Sequence, residues 1–141
     1  MRLDQLIRRN LMKILIKDSE KELSDHLNQR EVDCSCLYTN CQWTMIHPDL
    51  IKAFEGLRKA YKFPIYVSSG FRCQQHNKDV KGTGGSKHTI GLALDLRPFK
   101  IEHYDHLFDL ALGYFDAVLE YRKFQDPKKW FIHCHLKRWE Y

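Results

Sequence analysis

Apolar residues recur at helical spacing in two stretches of the chain. Leu50, Ile51, Phe54, Leu57 and Tyr61 form one stripe, opened by His47-Pro48-Asp49 and closed by Lys62-Phe63-Pro64. Proline in a first turn forfeits an N–H that has no helical partner there, so this segment predicts a helix. Residues 101–113 predict a second amphipathic helix, and Gln74 to Val80 a short one. Elsewhere the period is two. Leu92 to Arg97 predicts a strand with Ala93, Asp95 and Arg97 on one face and three leucines on the other. Trp130 to Leu136 predicts another, with Phe131, His133 and His135 opposite Trp130, Ile132, Cys134 and Leu136. Residues 64–68, closed by a Ser69-Gly70 turn, and 115–121 complete the strands. Gly82-Thr83-Gly84-Gly85 is a loop that no regular element would tolerate. Residues 1–30 are charged and mildly amphipathic, which predicts one or two short helices, and residues 31–47 show no clean period. Helices and strands that interleave through short connections give the α+β class: a single domain with a small antiparallel sheet and flanking helices. Residues 1–23 form the expected lead-in and residues 24–141 the domain proper.

A chain of 141 residues suits one domain, and 43% hydrophobic with 13% aromatic residues excludes disorder by composition. No stretch approaches the ~20 apolar residues of a membrane-spanning helix. The most apolar early run, Leu11 to Ile16, is interrupted by Lys13. Arg2, Arg8 and Arg9 precede it, but no small-residue cleavage site follows, so the expectation is a protein that is cytoplasmic as synthesised. The net charge of +5 favours a polyanion without choosing one. Nucleic acid is not the expected partner, because no Cys-x-x-Cys pair or recognition-helix pattern is present. Five cysteines, at 34, 36, 41, 73 and 134, are an odd number and read as reduced thiols. Cys34-x-Cys36 with Cys41 and Cys73 departs from the Cys-x-x-Cys knuckle, so partly buried thiols are preferred over a structural zinc site. A monomer is expected.

The chemistry lies in the histidines. An aspartate in the middle of Leu92-Ala93-Leu94-Asp95-Leu96 is costly unless something pairs with it. A divalent metal shared with His88 would do so, and imidazole with carboxylate suits zinc, whose catalytic sites keep three protein ligands and one open position. The third ligand is expected from the last strand, where His133 and His135 share a face and spacing does not choose between them.

Ser86-x-His88-x-x-Gly91-x-Ala93-x-Asp95, followed near the C-terminus by Ile132-His133-Cys134, resembles the zinc D-Ala-D-Ala carboxypeptidases. The L-alanyl-D-glutamate endopeptidases of phage lysis belong to the same group, and the hedgehog signalling domain shares its fold. Ile65 to Arg72 is similar to the family's strand ending in Ser-Gly-(Tyr or Phe)-Arg, and Glu31-Val32-Asp33-Cys34 to an entry motif of phage and bacterial members.

The resemblance implies a hedgehog-like α+β fold with one catalytic zinc on His88, Asp95 and His133. It also implies Arg72 as a grip on a substrate carboxylate and Ser86 on the cleft wall. Several members carry an acidic residue three positions before the last histidine ligand, where this chain has Trp130. Others carry a glutamate at the end of the preceding strand, which makes Glu120 the expected general base. His135 is expected to help stabilise an oxyanion. The implied activity is hydrolysis of an amide bond in the peptide stem of bacterial peptidoglycan, as D,D-carboxypeptidase or as L-alanyl-D-glutamate endopeptidase. Its setting would be the cell wall of a phage-infected or prophage-carrying host. The alternative is a non-catalytic zinc-containing binding domain on the same scaffold.

Overall fold

A computed structural model describes residues 12–138. Its centre is a four-stranded antiparallel sheet in the order β5 (Tyr66–Ser69), β6 (Ala93–Arg97), β8 (Phe131–His135), β7 (Ala117–Tyr121). The two-residue period of β6 and β8 decides what each sheet face does. Leu94, Leu96, Ile132 and Cys134 turn inward and are completely buried. Against them pack α2 (Pro48–Tyr61), through Leu50, Phe54 and Leu57, and α4 (Tyr104–Ala111), through Leu107 and Ala111. Each such aliphatic or aromatic side chain contributes about 1.5–3 kcal/mol on burial. The opposite face carries Asp95, His133 and His135.

The helix start at Pro48 follows its prediction, with the imidazole of His47 as cap: its Nδ1 accepts the Asp49 N–H at 3.0 Å. Lys62 ends α2 in the left-handed conformation. The predicted helix over 101–113 is a 3-10 turn at Ile101–His103 followed by α4. Tyr104 ties α4 to the sheet by donating to the Phe131 carbonyl at 2.6 Å and accepting the Tyr121 N–H at 3.2 Å. The short helix α3 (Gln74–Asp79) is present.

The N-terminal third differs from expectation. Residues 1–11 lie outside the described residues. The segment expected to continue as helix is instead β1 (Lys13–Ile16), antiparallel to β4 (Trp43–Ile46) inside the stretch read as irregular. Two isoleucines in four residues favour an extended backbone, and a partner far along the chain is invisible to a local period. A short pair, β2 (Glu22–Ser24) and β3 (Leu27–Asn28), leads into α1 (Gln29–Val32). Asn28 and Glu31 close α1 as a capping box.

Among the described residues Gly91 is the one glycine in a left-handed conformation (φ 72°), and a Cβ there would stand 2.6 Å from the Met45 carbonyl oxygen. Its own carbonyl accepts the His47 N–H at 2.9 Å. This turn delivers His88 on one side and starts β6 on the other.

Candidate metal centre

Three elements converge on the outer sheet face. Residues Lys87–Ile90 form a 3-10 turn whose cap, the Ser86 hydroxyl, accepts the His88 N–H at 3.3 Å. The Arg72 N–H binds the His88 carbonyl at 3.1 Å, which fixes the turn against the segment after β5. Asp95 sits mid-way along β6, and register places His133 of β8 directly beside it. His88 and Asp95 are only 2% and 3% exposed.

The donor atoms face one another. His88 Nε2 is 3.1 Å from Asp95 Oδ1, His133 Nδ1 is 2.9 Å from the same oxygen, and the two imidazole nitrogens are 3.3 Å apart. Ligands held at about 2.0–2.1 Å around a tetrahedral zinc lie about 3.3 Å from each other. Two nitrogens and one carboxylate oxygen at these separations fit that ion. The surroundings fix which atoms donate. Gly70 accepts from His88 Nδ1 at 2.7 Å, so Nε2 carries the lone pair. His133 Nε2 lies 2.8 Å from His135 Nδ1; with the His133 Nδ1 lone pair turned to the cluster, Nε2 donates to His135. Burial works to raise the Asp95 pKa, but the adjoining imidazoles of His133 and His88 outweigh it and leave the carboxyl at about 2. Burial holds the His135 pKa below its ordinary value, assisted by the charges of His133 and Lys87.

The structure therefore brings His88, Asp95 and His133 together, and it separates the two histidines that spacing left equivalent: His133 faces Asp95, and His135 backs His133. Arg72 departs from expectation. Its Nη2 binds Asp95 Oδ2 at 3.1 Å, Nε donates to Ser69 Oγ at 3.1 Å, and Nη1 donates to Asn77 Oδ1 at 3.3 Å. That guanidinium is committed to the carboxylate of the centre, holding its second oxygen. Ser86, partly exposed, caps the His88 turn.

Glu120 is not brought to the centre, contrary to its expected role as base. Its register partner is Ile132, so it lies on the opposite face from His133, whose partner is Leu119. Its carboxylate is half-exposed and binds Arg122 Nη2 at 2.8 Å. A one-residue offset along a strand reverses the face, and the end of a strand gives no sequence signal that fixes it.

The residue that sequence reasoning passed over is Arg97. It shares a face with Asp95, two positions along β6, and among the described residues its side chain makes no hydrogen bond or ion pair. Its Nε is buried without a partner. It lines a groove of about 440 Å³ with Tyr66, Ser68, Phe99 and Trp130. The alternation of β6 carried this signal, since it sets Arg97 beside Asp95.

A family model described as Peptidase M15 matches residues 23–126. The chain belongs to the Peptidase M15 family. Neither a curated protein nor a solved structure gives a match. The matched stretch holds His88 and Asp95 but stops before β8, so the third donor of the centre rests on the geometry of His133.

Proposed function

We propose that the chain is a zinc peptidase that hydrolyses an amide bond in the peptide stem of bacterial peptidoglycan, with His88, Asp95 and His133 holding one zinc ion. The observation that carries this reading is the trio of donor atoms 2.9–3.3 Å apart, each with its lone pair directed by a neighbour. Zinc, when bound, supplies Lewis acidity toward a carbonyl oxygen and acidifies water near neutral pH. The remaining work falls to the chain. Arg72 holds the second carboxylate oxygen of Asp95 and so orients it. His135, accepting at Nδ1, carries its own proton on Nε2 and is a neutral hydrogen-bond donor for a developing oxyanion. Arg97, which lines its groove together with Lys128, is a cation available to a substrate carboxylate in place of Arg72, and the aromatic walls of that groove suit an extended peptide. No helix among the described residues is long and apolar enough to cross a membrane.

The test is mass spectrometry of peptidoglycan fragments incubated with zinc-loaded protein, with and without chelator. Chelator-sensitive loss of one alanine mass makes the enzyme a D,D-carboxypeptidase. Release of the stem beyond L-Ala makes it an L-alanyl-D-glutamate endopeptidase of the phage-lysis type. No cleavage by protein that retains its zinc overturns the enzyme reading and favours a zinc-containing binding domain. One observation supports that second reading: among the described residues, no carboxylate other than Asp95 belongs to the clustered donor set of the centre.

A further inference from the structure

The second cluster of ligand atoms lies apart from the histidines. Cys34 and Cys36 follow α1, Cys41 precedes β4, and Cys73 caps α3, yet their four sulfurs all lie within 4.8 Å of one another. Cys36 Sγ and Cys73 Sγ are 3.8 Å apart. Four thiolates at about 2.3 Å around a tetrahedral zinc stand about 3.8 Å from each other. All four cysteines are free, so the convergence is not that of a disulfide pair.

Each sulfur is also provided with a donor. The Cys73 N–H points to Cys34 Sγ at 3.4 Å, and the His76 N–H to Cys73 Sγ at 3.4 Å. Lys17 Nζ stands 3.7 Å from Cys36 Sγ and 3.8 Å from Cys41 Sγ, anchored by the Cys36 carbonyl at 3.1 Å. Backbone N–H groups and an ammonium directed at sulfur are the surroundings of thiolates, and four thiolates packed together need a cation among them. A divalent ion leaves the cluster two negative charges in excess, and Lys17 offsets one of them.

We propose that Cys34, Cys36, Cys41 and Cys73 bind a second zinc ion, with a structural role. Four soft thiolates select zinc over the hard cations. Four protein ligands also leave no open position, which separates this site from the three-donor centre. The local chain explains what the ion does. Cys34 to Gln42 contains no helix or strand and exposes Leu37 almost completely, so little burial holds the loop in place. Its ties to α3 are Ser35 Oγ to His76 Nε2 at 3.1 Å and Tyr38 Oη to Asp79 Oδ2 at 2.5 Å. The tetrathiolate fastens this loop to Cys73, the residue after Arg72, and so steadies the guanidinium that grips Asp95. The spacing hid this site because its fourth ligand is remote in sequence and its first pair is Cys-x-Cys.

The experiment is elemental analysis and native mass spectrometry of the full chain purified from zinc-supplemented culture. Two zinc ions per chain are expected for the wild type. One is expected for the Cys36→Ser/Cys41→Ser double variant, and one for His88→Ala. Cobalt substitution of the wild-type protein gives a reading that needs no variant to fold: thiolate-to-cobalt charge-transfer absorption, absent from a centre of two imidazoles and a carboxylate. That band should persist in His88→Ala and disappear in the double cysteine variant. A wild-type protein with one zinc and no charge-transfer band overturns the proposal, as does one whose four thiols react at once with a thiol reagent while all metal is retained. Because these readouts do not involve peptide cleavage, the proposal stands or falls separately from the peptidase reading.

Discussion

Arg97→Met isolates the way the cleft engages its substrate. Methionine keeps most of the apolar stem and removes only the guanidinium, so packing changes little. A hydrogen bond to a charged group contributes about 1.5–3 kcal/mol, which corresponds to about a 10–150-fold change in binding. That loss should appear in KM for a stem peptide whose carboxylate nearest the scissile bond is free. It should shrink to less than about threefold when the same carboxylate is amidated, since the variant then lacks nothing the substrate used. Stability should move the other way. Arg97 Nε is buried with no acceptor, an arrangement that costs about 1–3 kcal/mol. Removing it should leave the melting temperature unchanged or raise it, at roughly 3–4 °C per kcal/mol for a chain of this size. The assay is steady-state hydrolysis of the paired peptides beside thermal unfolding. Equal losses on both peptides, or a fall in melting temperature of several degrees, would refute the assignment and make Arg97 a structural cation.

Glu120→Gln should leave zinc content intact and change kcat by no more than a few-fold, whereas removing a general base costs about 10²–10⁴; a loss in that range measured at full metal occupancy would restore Glu120 to the cleft. Arg72→Met removes three hydrogen bonds from the segment behind Asp95 and should weaken zinc binding about 10–100-fold in competition with a chromophoric chelator; unchanged affinity would show that Arg72 does not support the ligand. Gly91→Ala combines a left-handed alanine with a Cβ facing the Met45 carbonyl, for a destabilisation of about 2–5 kcal/mol by denaturant titration. Burial of Glu55 works to raise its pKa, but hydrogen bonds from His26 and Ser24 outweigh it and set the carboxyl below its ordinary 4.5. A depressed carboxyl stabilises the fold above its unfolded pKa and loses that contribution as pH falls through the folded value. The gap between wild type and Glu55→Gln, at most about 1 kcal/mol, should therefore close on acidification below 4.5 when unfolding is followed across pH.

What the sequence revealed of this fold follows the reach of local patterns. The stripe Leu50–Tyr61 and the alternations of Leu92–Arg97 and Trp130–Leu136 are complete within one element, and those elements stand where they were read. β1 was misread because Lys13–Ile16 is too short to show a period, and its partner lies in a stretch read as irregular. Asp95 was legible because a carboxylate between leucines demands a partner. His133 and His135 were not separable, since parity gives a face and not a distance. Glu120 failed at the same step: its face depends on the register of β7 against β8, which no composition encodes. The cysteines converge only once the chain has folded, from a loop without period and the cap of a six-residue helix.

The order of protons through the centre argues for the role of each histidine. The Gly70 carbonyl accepts a hydrogen bond from the Nδ1–H of His88, which leaves the lone pair on Nε2. Turning His133 Nδ1 toward Asp95 puts its proton on Nε2, from which it donates to His135 Nδ1. A neutral His135 with Nδ1 so occupied has one remaining proton, on Nε2. It is therefore a donor and not an acceptor, matched to charge that develops on a carbonyl oxygen and unsuited to deprotonating water. His135→Gln preserves a donor and His135→Leu removes it. The glutamine variant should retain most of kcat while the leucine variant loses about 10²–10³, both at unchanged zinc content. If the glutamine variant is as impaired as the leucine variant, the chain His133–His135 moves a proton instead of holding one, and His135 becomes the missing base.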